Sequence, residues 1–71
     1  MQVKAHITGT VWKIEVTVGE QVEEDDTLII LESMKMEMPV EAPVDGTITE
    51  IFVEEGQTVE EGQPLLALEE D

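Results

Sequence analysis

Apolar positions along the chain follow one spacing that is written twice. Residues 9–32 read GTVWKIEVTVGEQVEEDDTLIILE and residues 46–69 read GTITEIFVEEGQTVEEGQPLLALE. The two stretches align without a gap at an offset of 37, and 11 of the 24 positions are identical, among them Gly9/Gly46, Ile14/Ile51, Val16/Val53, Gly19/Gly56, Val22/Val59 and Leu28/Leu65. Agreement of that extent in 71 residues marks a tandem duplication. Residues 10–18 are rich in β-branched side chains, and helical i, i+3, i+4, i+7 spacing is not sustained anywhere, so each copy predicts strands. Residues 28–31 and 65–68 predict two further short strands. Gly19 and Gly56 follow the first strand of each copy, where a positive φ suits glycine. Val22 and Val59 then project from a tight acidic turn. Gly62 aligns with Asp25, and aspartate tolerates left-handed backbone better than most residues. Pro39, Pro43 and Pro64 exclude helix around them and favour sheet edges or strand starts.

The pattern therefore predicts seven or eight short strands and no helix, an all-β domain built as a small sandwich or flattened β-barrel. Each copy leaves one apolar face uncovered. Closing the two faces on each other gives so short a chain a core, near the size limit at which burial offsets chain entropy.

Composition narrows the chemistry. Three lysines and no arginine stand against eighteen acidic residues, a formal charge of −15. That field repels nucleic acid and anionic membranes and leaves nothing to clamp phosphate. The chain has no cysteine, so neither a disulfide nor a thiolate metal site is available, which fits a cytoplasmic protein. Its opening, MQVKAHITG, has no apolar segment behind a charged start, and its longest apolar run is four residues, far short of a membrane span. The carboxylates lack the spacing of a calcium loop and His6 is the only histidine, so no metal site is expected. His6 belongs to the first strand on this reading. Trp12 aligns with Thr49, which predicts a half-exposed position.

One stretch breaks the local rules. In ESMKMEMP, residues 32–39, the turn of a two-residue hairpin over 33–36 carries Met34 and Lys35. Such turns need positive φ and normally take Asn-Gly, Asp-Gly or Gly-X. Met34, Met36 and Met38 cannot all face the core, so a thioether is expected at the surface. Adding 37 to position 35 gives 72, just past Asp71. If a twofold axis relates the copies, Lys35 stands at a tip whose counterpart holds the chain ends. A rule broken without visible gain points to function.

ESMKME between two copies of a β-repeat resembles the Met-Lys-Met attachment site of biotinyl domains in the biotinyl/lipoyl attachment family. The resemblance extends over the G-x-V-x-x-I-x-V-x-x-G-x-x-V pattern of residues 9–22, the A-P-x-x-G step at 42–46 and the second copy. It implies a barrel-sandwich hybrid of two four-stranded antiparallel sheets with pseudo-twofold symmetry, formed as a single domain by residues 1–71. It also implies biotin amide-linked to Lys35 by a biotin protein ligase, with Met34, Met36, Glu32 and Glu37 as the residues that the ligase or other partners recognise. Lipoyl carriers of the family typically have Asp before the lysine and Ala after it. Asp25 departs from the family's usual glycine, the first copy carries no inserted "thumb", and these 71 residues include no Ala/Pro-rich linker, as expected either of a free-standing small carrier or of a domain cut from a longer chain.

Amide formation needs a neutral amine to attack an activated acyl-adenylate, whereas a free lysine, with an ordinary pKa of about 10.4, is almost wholly protonated at neutral pH. Nothing near Lys35 in sequence acts as a base, so the domain is expected to be a substrate with no catalytic residue of its own. The family resemblance implies that biotin carboxylase and a carboxyltransferase, the subunits of an acetyl-CoA or acyl-CoA carboxylase of fatty acid biosynthesis, use it as their carboxyl carrier. The alternatives are a lipoyl carrier of a 2-oxoacid dehydrogenase and an unmodified interaction module of the same fold.

Overall fold

The computed structural model describes all 71 residues, Met1–Asp71, as eight strands and no helix. In chain order they are β1 (Gln2–Lys4), β2 (Gly9–Ile14), β3 (Gln21–Val22), β4 (Thr27–Ser33), β5 (Met36–Glu41), β6 (Gly46–Ile51), β7 (Thr58–Val59) and β8 (Pro64–Glu70). They form two four-stranded sheets in the orders β1-β8-β6-β3 and β5-β4-β2-β7, with every pairing antiparallel. Moving each strand four places along the chain turns one order into the other. The duplication in sequence is thus a twofold relation in space.

The halves do not simply lie face to face. The two-residue strand β3 of the first copy pairs with β6 of the second, and β7 of the second pairs with β2 of the first. Loop hydrogen bonds repeat at the same offset of 37. The Ala5 amide donates to the Gln63 carbonyl at 2.9 Å, as Ala42 does to Asp26 at 2.8 Å; Gly19 donates to Ile48 and Gly56 to Val11, both at 2.7 Å.

Four β-bulges shape the packing. At Leu28 and at Leu65 the register slips by one residue, so Leu28 and Ile29 both face inward opposite Val40, and Leu65 and Leu66 do so opposite Val3. All four leucine and isoleucine side chains are fully buried. The other two bulges, at Trp12 and Thr49, turn two consecutive side chains outward. One cluster of 16 buried apolar residues joins both sheets, and no polar side chain is buried. Gly46 lies inside it, where an added Cβ would strike the Glu69 carbonyl oxygen and come within 2.8 Å of Leu68 Cδ1.

Two expectations need correction. The strand expected over residues 10–18 stops at Ile14, because the chain leaves its sheet there to reach β3 in the other. A single further bond from the Glu15 amide to Leu28 is made before Thr17 and Glu20 close a turn. Val16 is buried at this corner, so apolar alternation continues through a segment that is not a strand. His6 lies in a bend after β1, which ends at Lys4. The prolines sit as their chemistry requires: Pro39 is in the edge strand β5 and Pro64 opens β8.

Candidate functional site

The hairpin β4–β5 ends in Met34 and Lys35. Its rungs are Ile30↔Pro39, Leu31↔Met38, Glu32↔Glu37 and Ser33↔Met36, so the turn has two residues, as expected. Met34 has φ 51° and Lys35 φ 65°. Two consecutive left-handed residues match the type I′ turn, whose twist suits the flanking strands. Neither residue is one that adopts this region readily, and each L-residue held there costs roughly 1–2 kcal/mol relative to glycine.

The side chains at the turn face water. Met34 is 92% exposed, Met36 61%, and Lys35 is exposed beside them, whereas Met38 is half-buried. Lys35 has no carboxylate within 4.0 Å, since the one ion pair of the protein is Lys13–Glu15 at 3.8 Å on the surface. Glu32 and Glu37 stand directly opposite each other, both exposed, one rung below Ser33 and Met36. Like charges on one rung oppose pairing slightly. Behind them Gly9 lets β2 press against β4: a Cβ there would lie 2.6 Å from the Glu32 carbonyl oxygen.

The arrangement leaves an amine without an ion-pair partner at the end of a two-residue turn, and no carboxylate lies within 4.0 Å to take its proton. His6 lies with Lys4, Pro39, Glu41 and Pro43 along a shallow open groove between β1 and β5, where the two halves meet. No group of three His, Asp or Glu side chains is disposed to hold a metal ion. Thus Met34, Lys35, Met36, Glu32 and Glu37 are brought together on one hairpin, while His6, Lys4 and Lys13 lie elsewhere. Trp12 is 47% exposed, the half-exposed position that its alignment with Thr49 predicted, and the slip in register there aims it outward.

The opposite pole repeats this geometry without the turn. Met1 sits across from Leu68 as Met38 sits across from Leu31, with the N-terminal ammonium donating to the Leu68 carbonyl at 2.6 Å. The Asp71 amide donates to Asp45 at 3.1 Å. Where the first copy continues into a hairpin, the second copy meets the chain ends.

Comparison with known proteins agrees with this geometry. A family model described as "Biotin-requiring enzyme" matches residues 1–68. The chain is 45% identical over 40 residues to a biotin/lipoyl attachment protein of Bacillus subtilis, covering 56% of this chain and 55% of that one. It is 53% identical over 38 residues to a biotinylated protein TB7.3 homolog of Mycolicibacterium smegmatis, covering 54% of each. The matches thus span about half the length of these curated relatives. Among solved structures, a single-chain, multi-domain long-chain acyl-CoA carboxylase superposes with a TM-score of 0.96 at 30% identity, over all of this chain and 7% of that one. The urea carboxylase of Kluyveromyces lactis gives 0.90 at 35% identity, over 96% and 6%.

Proposed function

The chain belongs to the biotin/lipoyl attachment family, and on that premise we propose that it is a biotin carboxyl carrier with its cofactor amide-linked to Lys35. The observation that carries the proposal is the turn itself: an exposed, unpaired lysine held at φ 65° between two exposed methionines. These residues fit the group. The lysine Nζ is the only amine at the tip, its side chain is exposed to an acyl donor, and the strand pair beneath fixes where that side chain starts. A biotin protein ligase supplies biotinyl-adenylate; Nζ attacks the acyl carbon, AMP leaves with the bonding pair, and a proton passes from Nζ to solvent or the ligase. Once bound, biotin supplies a ring nitrogen that accepts and gives up a carboxyl group. The protein's part is to hold Lys35 clear of the core and present it to two partners in turn. A tethered cofactor meets each site at a high effective concentration without being released.

Residues 1–71 act as one carrier domain in this reading. The partners are the biotin carboxylase and carboxyltransferase of a biotin-dependent carboxylase, and the setting is the cytoplasm. The acceptor is an acyl-CoA, with acetyl-CoA and fatty acid synthesis as the specific case. Similarity to a domain of a long-chain acyl-CoA carboxylase supports that choice. The test is incubation with a biotin protein ligase, biotin and ATP, followed by intact-mass and peptide analysis. One biotinyl group on Lys35 is expected. No gain in mass, or a lipoyl group on protein purified from its own host, would overturn the reading.

A further inference from the structure

The two sheets are equivalent in backbone, but their outer faces differ along one row. On the outer face of β5-β4-β2-β7, Pro39, Ile30 and the bulge pair Trp12–Lys13 lie on adjoining strands, since Ile30 is opposite both Pro39 and Lys13. The equivalent row on the other sheet is Gln2, Ala67 and Thr49–Glu50. One face therefore carries an apolar stripe of proline, isoleucine and tryptophan, with Lys13 at its end, where the other carries glutamine, alanine, threonine and glutamate. Trp12 and Pro39 are exposed and Ile30 is half-buried between them. The core does not need these side chains, because the second half folds the same backbone without them.

Two features of its setting indicate what covers this stripe. It belongs to the sheet that bears Lys35, three rungs below Ser33↔Met36, a distance of about 10 Å along the strands. Between stripe and tip lies the Glu32–Glu37 rung, two exposed carboxylates on the same outer face. A partner seated here therefore needs an apolar centre bordered, on the side towards the tip, by cationic side chains.

We infer that this stripe is the docking surface for the enzyme that transfers biotin to Lys35. The inference rests on Lys35 being the biotin acceptor. That enzyme must bring an acyl carbon to within bonding distance of Nζ, with only the lysine side chain to span the gap. Its body must therefore lie against the hairpin. A protein interface of standard size covers about 800 Å² on each partner, a disc of about 16 Å radius, which from Lys35 reaches past the stripe. The carboxylase active sites have no such need, because the attached cofactor extends the arm. Aromatic and aliphatic side chains at the centre of a patch supply most of the affinity, and charges at the rim supply orientation and rate of encounter.

The test exchanges the stripe for the chain's own counterpart, in the triple variant Trp12→Thr, Ile30→Ala, Pro39→Gln. Biotin transfer by a purified bacterial biotin protein ligase, with biotin and ATP, is followed against acceptor concentration. The acceptor KM is expected to rise about tenfold or more with kcat unchanged. In parallel, Lys35→Arg protein, which cannot be labelled, is expected to inhibit transfer to wild type competitively, and to lose that inhibition when it also carries the three changes. A circular-dichroism melt verifies folding; if the triple variant is unfolded, Trp12→Thr alone is measured the same way, with a smaller rise in KM expected. Unchanged KM and unchanged inhibition would overturn the docking assignment while leaving Lys35 as acceptor. Failure to label wild-type protein at all would instead overturn the attachment reading beneath it.

Discussion

Six residues hold left-handed backbone, and they fall into two groups. Within the repeats Gly19, Gly56 and Gly62 have φ between 87° and 94°, and Asp25 takes 75° at the place matching Gly62. At the tip the same region is occupied by Met34 and Lys35. Where the chain only has to reverse, glycine or aspartate does so with little strain. At the tip the cheaper Asn-Gly or Asp-Gly is absent, and stability is given up for the side chains that are displayed. The comparison separates the turns that only reverse the chain from one whose residues the fold alone does not explain.

The largest effect expected is on labelling. Lys35→Arg should take up no biotin while its melting temperature stays within a few degrees of wild type, because a guanidinium is effectively never deprotonated and the tip touches no core residue. Exchanging Met34 and Lys35 should also sharply reduce labelling by moving the amine one place around the turn. Label retained on Lys35→Arg, or found on Lys4 or Lys13, would break the distinction between tip and body. Gly62→Val comes next. No atom lies within 4 Å of the added Cβ, so the penalty is backbone strain alone, about 2 kcal/mol or roughly 10 °C in melting temperature.

Replacing Met34-Lys35 by Asn-Gly should act in the opposite direction, raising stability by about 1 kcal/mol in urea melts. A loss of stability would mean that the tip side chains support the hairpin. Asp25→Gly should be neutral or stabilising by about 0.5 kcal/mol, in contrast to Gly62→Val at the equivalent place. Small, equal effects at both would dissolve their equivalence. The smallest effect expected is a rise of a few degrees in melting temperature between low salt and about 0.5 M sodium chloride, as self-repulsion is screened. Its size is limited because Glu20, Asp26, Asp45 and Glu55 each accept a hydrogen bond from a backbone amide. A flat curve would place most of the compensation in such contacts.

Much of this architecture was legible because duplication supplies two readings of each position. The turn at Asp25 was recognisable through Gly62, and the strands through their shared valines, isoleucines and leucines. What alternation did not reveal was where a strand leaves its sheet. Val16 and Val53 are buried at corners and look, in sequence, like continued strand. Nor did it reveal that β3 and β7 pair across the halves, since pairing partners leave no local mark in two-residue strands. The Met34-Lys35 turn was legible through its poor local chemistry. The exposure of Trp12 was legible through Thr49, but its place in one row with Ile30 and Pro39 was not, because the bulge that turns Trp12 and Lys13 to the same face depends on the register with Ile30.

The crossing of β3 and β7 has a consequence for how such a molecule arises. A single copy, standing alone, would expose the edge of β2 and lack the strand that covers it. Two such half-length chains would complete each other by exchanging their short strands, a symmetric dimer of the kind made by swapping identical elements. Fusing two genes end to end turns that dimer into one chain, but a covalent connection can close only one of the two equivalent poles. The join becomes a hairpin with a tip to display; the other pole is left unjoined. A dimer with two alike poles would thus become a molecule with one front, its two poles no longer equivalent.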